Sequence, residues 1–198
     1  MVASFLIPLA MRILGEEPDV VVADALEHPN RRWIRVFVAA RTRFSEDALA
    51  QAVADGVVQL VILGAGLDTF AYRSPFKDCL HVFEVDRLAT QVRKRQLLTK
   101  DKIQVPTWLT FVPVDFEGES LTDQLALAGF DSKQRSFFSW LGVVPYLTES
   151  EIWSILGYIA GLPNGAHVVF DYANPPASYT LIQHLAYNRR ASKVDKLG

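Results

Sequence analysis

A chain of 198 residues, half of them hydrophobic, has the length and the apolar content for one domain with a full core. Twenty Lys and Arg against 22 Asp and Glu give a formal net charge of -2, which leaves no basic footprint for a nucleic-acid partner. The single cysteine, Cys79, excludes an intramolecular disulfide and makes the reducing cytoplasm the expected compartment.

The N-terminal run MVASFLIPLAMRIL has no basic stretch before its apolar part, carries Pro8 and Arg12, and is far shorter than a membrane span, so no membrane partner is expected. It reads as an apolar helix or lid over a site or a partner, with homodimerisation as the structural alternative. His28-Pro29-Asn30 marks a break before a helix. Ile34, Phe37 and Val38 then recur at helical spacing. Ser45 to Ala54 reads as a second helix, with Ser45 as N-cap and Phe44 and Leu49 as the staple across it. Residues 1–55 are accordingly expected to form a helical cap on a nucleotide-binding unit over 56–198, the two making one structural unit.

Gln59 to Leu63 is a short β-rich apolar run with no amphipathic period, the pattern of a strand covered on both faces of a parallel sheet. It stops at Gly64, Ala65 and Gly66, where two residues without a Cβ let the backbone turn tightly and approach a ligand. Leu67 to Tyr72 is expected to open a crossover helix, with Asp68 as a helix-terminus residue. Cys79 reads as a small buried hydrophobe at the start of a second strand, Leu80 to Val85. That strand carries Glu84 and ends at Asp86, each about 20 residues past one of the glycines, the spacing that sets a carboxylate on ribose hydroxyls in a nucleotide-binding βαβ unit. A dinucleotide fingerprint would place a third glycine where Thr69 stands, so the loop suits a nucleoside without a pyrophosphate, S-adenosylmethionine being the obvious one.

Arg87 to Lys102 forms the next helix, and Arg93, Lys94 and Lys100 read as its solvated face. Leu109 to Val114 is a third strand closed by Asp115 and Phe116, an acid and an aromatic suited to hydrogen-bond an adenine amino group and flank its ring. Ser120 with Asp123 caps a helix over Leu121 to Leu127 that Gly129 ends, and Ser136 to Trp140 is a fourth strand. Thr148 and Glu151 form a capping box for a helix from Glu149 to Ala160. His167 to Phe170 is a fifth strand running into Asp171 and Tyr172, and Ser178 to Arg190 has a helical pattern.

LGAGLDTFAYR followed by VFEVDRLATQVRKRQLL, with ARTRF at Ala40 to Phe44, VPVDF at Val112 to Phe116 and WLGVVPYLT at Trp140 to Thr148, resembles the leucine carboxyl methyltransferase group and its bacterial relatives. The resemblance runs from about Arg35 to Pro176 and implies the class I S-adenosylmethionine-dependent methyltransferase fold, α/β with a doubly wound, Rossmann-like, mostly parallel sheet. It also implies that Arg41 binds the methionine carboxylate of the cofactor and that Asp115 and Phe116 contact the adenine, whereas Arg43 reads as a solvated helix residue. Members of the group it resembles commonly carry a glutamate directly before Gly142, where this chain has Leu141. The fold class adds a C-terminal β-hairpin beyond a fifth strand, which is not found here, so a fragment, a shortened member or an assembly completed by another chain is expected.

The resulting expectation is methyl transfer to an oxygen, a carboxylate or a hydroxyl of a small-molecule acceptor. No residue need be modified covalently, no metal site is expected, and no catalytic residue is assigned. His81 and His167 open strands, His28 precedes a proline, and His184 is the remaining candidate base; Tyr146 and Tyr172 are candidates for orienting the acceptor. The alternatives are a non-catalytic or truncated descendant of the fold and an NAD-dependent oxidoreductase, against which Thr69 and the Asp115-Phe116 pair argue.

Overall fold

The computed structural model describes residues 29–115 and 118–172. The N-terminal apolar run, Phe116, His28, His184 and the helix expected over Ser178 to Arg190 lie outside the described residues.

Five strands form one sheet: β1 (Gln59–Leu63), β2 (His81–Asp86), β3 (Leu109–Pro113), β4 (Ser136–Trp140) and β5 (Ala166–Phe170). Their order is β3-β2-β1-β4-β5 and every neighbouring pair is parallel. In register, Leu60 lies between Val82 and Phe137, and Val61 between Phe83 and Phe138. Successive strand residues point to opposite faces. Leu60, Ile62, Val82, Phe111 and Phe137 therefore share one core with Leu49 and Ala52 of helix α1 (Pro29–Ala54), Phe70 of α2 (Phe70–Arg73) and Leu98 of α3 (Leu88–Lys100). Val61, Phe83, Val85, Phe138 and Trp140 share the other with Leu125 of α4 (Leu121–Leu127) and Ile155 and Ile159 of α5 (Glu149–Ala160). All five residues of β1 are buried, as a central parallel strand with helices on both faces requires.

The helix boundaries expected from local signals hold where the signal is a cap. Ser120 accepts from the Asp123 amide, and Thr148 and Glu151 form the full capping box. Elsewhere the chain differs. α1 runs unbroken for 26 residues, so Ser45 is not an N-cap. It is buried, with its hydroxyl 3.3 Å from that of Ser139 on β4, while Phe44 is 65% exposed and staples nothing. No Gly or Pro interrupts residues 30–54, and a mid-helix serine with a partner for its hydroxyl does not stop a helix. The first crossover, by contrast, holds only the single turn α2, because Ser74 precedes Pro75 and takes extended backbone at φ -59, ψ 130. Cys79 is exposed rather than buried; Leu80 takes the covered position ahead of β2. Among the described residues no helix is long and apolar enough to cross a membrane.

Phe138 is fully buried on β4, so Phe138→Ala is expected to cost about 3 to 5 kcal/mol in urea unfolding. Leu127, 82% exposed on α4, is expected to tolerate Ala within about 0.5 kcal/mol. Equal losses at the two positions would overturn this assignment of the core.

Candidate active site

From β1 the chain builds outward through β2 to β3, then returns to the other side of β1 for β4 and β5. The reversal falls between β1 and β4, and in open α/β sheets the binding crevice lies beyond the carboxyl ends of the strands at that point. Here two loops almost touch. A Cβ on Gly64 would sit 2.2 Å from Val143 Cγ2, and Gly64 and Gly66 hold φ of +65° and +48°. Only a residue without a side chain fits the first of these positions.

On the β2 side the loop is tied to the expected acid. Asp86 Oδ2 accepts the Gly66 amide at 2.5 Å and Oδ1 accepts the Arg87 amide at 2.7 Å. The Ala65 amide donates to the Val85 carbonyl at 3.0 Å, so Gly64, Ala65, Gly66 and Asp86 are brought together as one unit. Asp115 follows one residue beyond the Val114 amide that donates to the Asp86 carbonyl, and its carboxylate lies 3.9 Å from Arg87 Nε in an exposed pair.

On the β4 side, Arg41 of α1 makes an ion pair through Nη1 with Asp171, the first residue after β5. Asp171 Oδ1 also accepts the Gly142 amide at 2.6 Å, and a Cβ on Gly142 would come within 2.9 Å of Arg41 Nη2. Arg41 Nε is buried and has no hydrogen-bond partner among the described residues. Asp171 was named by the sequence only as the end of a strand; its signal is the one that marks Asp86, an acid where a parallel strand leaves the sheet. Leu141 lines a cavity of about 20 Å³ together with Ser45, Asp68 and Ser139. Tyr146 and Tyr172 stand near this edge with 69% and 70% exposure. Arg43 pairs with Asp47 on the outer surface of α1, as expected of a solvated residue.

Glu84 departs from the ribose expectation. It shares a face of β2 with Asp86, but the sheet continues past it, and α3 covers it to 1% exposure. Its Oε2 accepts Lys94 Nζ at 2.5 Å, so the carboxylate is engaged beneath the loop rather than presented at the strand tip. Lys94, expected on a solvated face, is 4% exposed and also donates to the Asp68 carbonyl at 2.7 Å. Gln91, one turn earlier, donates to the carbonyls of Glu84 and Val112 and bridges β2 to β3. The missed signal is periodic: Gln91, Lys94 and Leu98 fall on one helical face at i, i+3 and i+7. Burial pushes the Glu84 carboxyl up to about 7, with Lys94 pulling it back, and burial likewise raises Asp68. His81, at the opposite edge of the sheet, is 2.8 Å from Thr110 Oγ1 and lowered by burial; His167 stacks on Phe137 at 6.3 Å.

A model of the leucine carboxyl methyltransferase family matches residues 3–160. The "Putative S-adenosyl-L-methionine-dependent methyltransferase YktD" of Bacillus subtilis is 42% identical over 137 residues, 68% of this chain and 45% of its own. A protein of the same description from Frankia alni is 34% identical over 138 residues, 69% of this chain and 48% of its own. The chain thus spans about half the length of these curated relatives. Among solved structures, magnesium protoporphyrin IX methyltransferase from Synechocystis PCC 6803 with bound SAH is 16% identical, covering 84% of this chain and 77% of its own at a TM-score of 0.45.

Gly64→Ala is expected to lower the thermal midpoint sharply, and adding Val143→Ala should recover the steric part, leaving about 1 to 2 kcal/mol from the left-handed backbone. No recovery in the double variant would overturn the close approach of the two loops. The folded chain holds the Glu84 proton more tightly than the unfolded chain. That contribution to stability is therefore fully present below about pH 4.5 and is lost as pH rises through about 7. Relative to Glu84→Gln, the parent chain should lose about 3 kcal/mol across that window in urea unfolding. A difference that does not change with pH would refute the burial-driven shift.

Proposed function

The chain belongs to the leucine carboxyl methyltransferase family, and from that premise we propose that it binds S-adenosylmethionine and methylates an oxygen, a carboxylate or hydroxyl of a small molecule. The observation that carries the reading is the Asp86 carboxylate, at the end of β2, holding the Gly66 amide of a glycine turn that packs against Val143 of the loop after β4.

The residues present fit the group. Gly64, Ala65 and Gly66 let backbone come close to a nucleoside, and Asp86 at the strand tip is the ribose acceptor. Asp115 is the partner for the adenine amino group, with Phe116 beside it in sequence. Arg41 has a donor to spare, Nε, for the methionine carboxylate, a task that suits a planar guanidinium. When bound, S-adenosylmethionine supplies a methyl group on a sulfonium that is already a good leaving group.

What the chain itself contributes is orientation and exclusion of water. Alignment of an acceptor with the transferred carbon can supply on the order of 7 to 11 kcal/mol. A carboxylate acceptor is ionised at neutral pH and needs no base, which agrees with the described histidines, His81 and His167, being engaged away from the carboxyl edge. Tyr146 and Tyr172, exposed at that edge, are the residues proposed to orient the acceptor. Residues 1–55 serve as the cap over the site and 56–198 as the cofactor unit, in the cytoplasm.

Calorimetric titration with S-adenosylmethionine, S-adenosylhomocysteine and NAD tests the cofactor class, with binding of the first two and silence of NAD expected. Asp86→Ala should weaken S-adenosylhomocysteine by about 10- to 100-fold through loss of charge-assisted hydrogen bonds. An unchanged affinity would remove Asp86 from the ribose site. Transfer of labelled methyl to carboxylate acceptors, compared with phenols, then decides the acceptor class.

A further inference from the structure

Below the crevice, one side chain joins three successive segments, the loop after β1, strand β2 and helix α3. Lys94 Nζ reaches the Asp68 carbonyl of the loop after β1 at 2.7 Å and the Glu84 carboxylate of β2 at 2.5 Å, from a helix that packs under both. The rings of Tyr72 and Phe111 enclose it at 5.6 and 6.0 Å. An ammonium is costly to bury unless it is paired and its protons are placed, and a residue serving only to fill that space would be apolar. This one ends on a backbone carbonyl, two residues past Gly66, in a stretch whose glycine backbone has little stiffness of its own.

Resting on the cofactor reading above, we infer that Lys94 is a positioning residue for the cofactor loop. Its ammonium pins the Asp68 carbonyl to the buried carboxylate of β2. Asp86 holds the Gly66 amide from the crevice side, so the loop is gripped at two points two residues apart, one in the crevice and one beneath it. With both in place, residues 64–68 keep the shape that receives a nucleoside. Met fills the volume of Lys94 and makes no tether.

The test compares the full chain with Lys94→Met and with Lys94→Met/Glu84→Gln, the double variant leaving no unpaired ion in the core. Hydrogen exchange is read on the unliganded proteins and S-adenosylhomocysteine binding by calorimetry. Amides of residues 66–70 should exchange at least about tenfold faster in the double variant while those of β1 and β2 keep their rates, and affinity should fall at least about tenfold. Unchanged loop exchange overturns the inference, as does a rise spread evenly over the sheet, which would assign Lys94 to stability alone. Failure of the parent chain to bind S-adenosylhomocysteine would sink the cofactor reading instead, and the exchange comparison would still decide the tether.

Discussion

Because all five strands run parallel, each must be followed by a passage back across a face of the sheet, and every carboxyl end therefore meets the same edge. That constraint brings together residues as distant in sequence as Arg41, Gly64, Asp86 and Asp171. It also makes the edge hard to build. Strands buried on both faces have apolar side chains to pack, but where they stop, backbone amides and charged side chains must be satisfied in a confined space.

The chain solves this twice in the same way. On each side of the reversal, an acid at the end of a strand accepts the amide of a glycine in left-handed backbone: Asp86 takes Gly66, and Asp171 takes Gly142. In each case the missing Cβ and the carboxylate are one device, since the turn that needs glycine is the turn that aims the amide at the acid. Beneath them, Glu84, Lys94 and Gln91 fasten the loop and the ends of β2 and β3 from inside. A pair buried in this way adds little net stability over apolar packing; what it adds is a fixed arrangement of the segments it joins.

The sequence was legible where the controlling signal is local. β4 and α5 match their expected limits because each is set by residues of its own, an apolar run in β4 and the capping box at the start of α5. The tight turn at Gly64 and Gly66 and the place of Asp86 at the end of β2 were legible for the same reason, a spacing within one βαβ unit. What was not legible depends on partners that only the packed fold supplies. Ser45 looks like a cap until Ser139, 94 residues on, supplies its partner. Lys94 looks solvated until Glu84 and Asp68 are placed under the same helix. Glu84 and Asp86 share a strand face and differ only in where the sheet ends relative to each, which spacing from the glycines does not encode. Asp171 acquires its place only when the turn after β4 comes alongside it.

Cys79 lies in the turn ahead of β2, at the edge opposite the crevice, exposed and without a second cysteine in the chain. Its position lets a thiol-reactive dye be attached at one site, without mutagenesis and away from the residues gathered at the carboxyl ends of the strands. The leucine after it carries the burial for that turn, so the label would report on the opening of β2 while leaving the core intact. The wild-type chain thus carries its own spectroscopic handle.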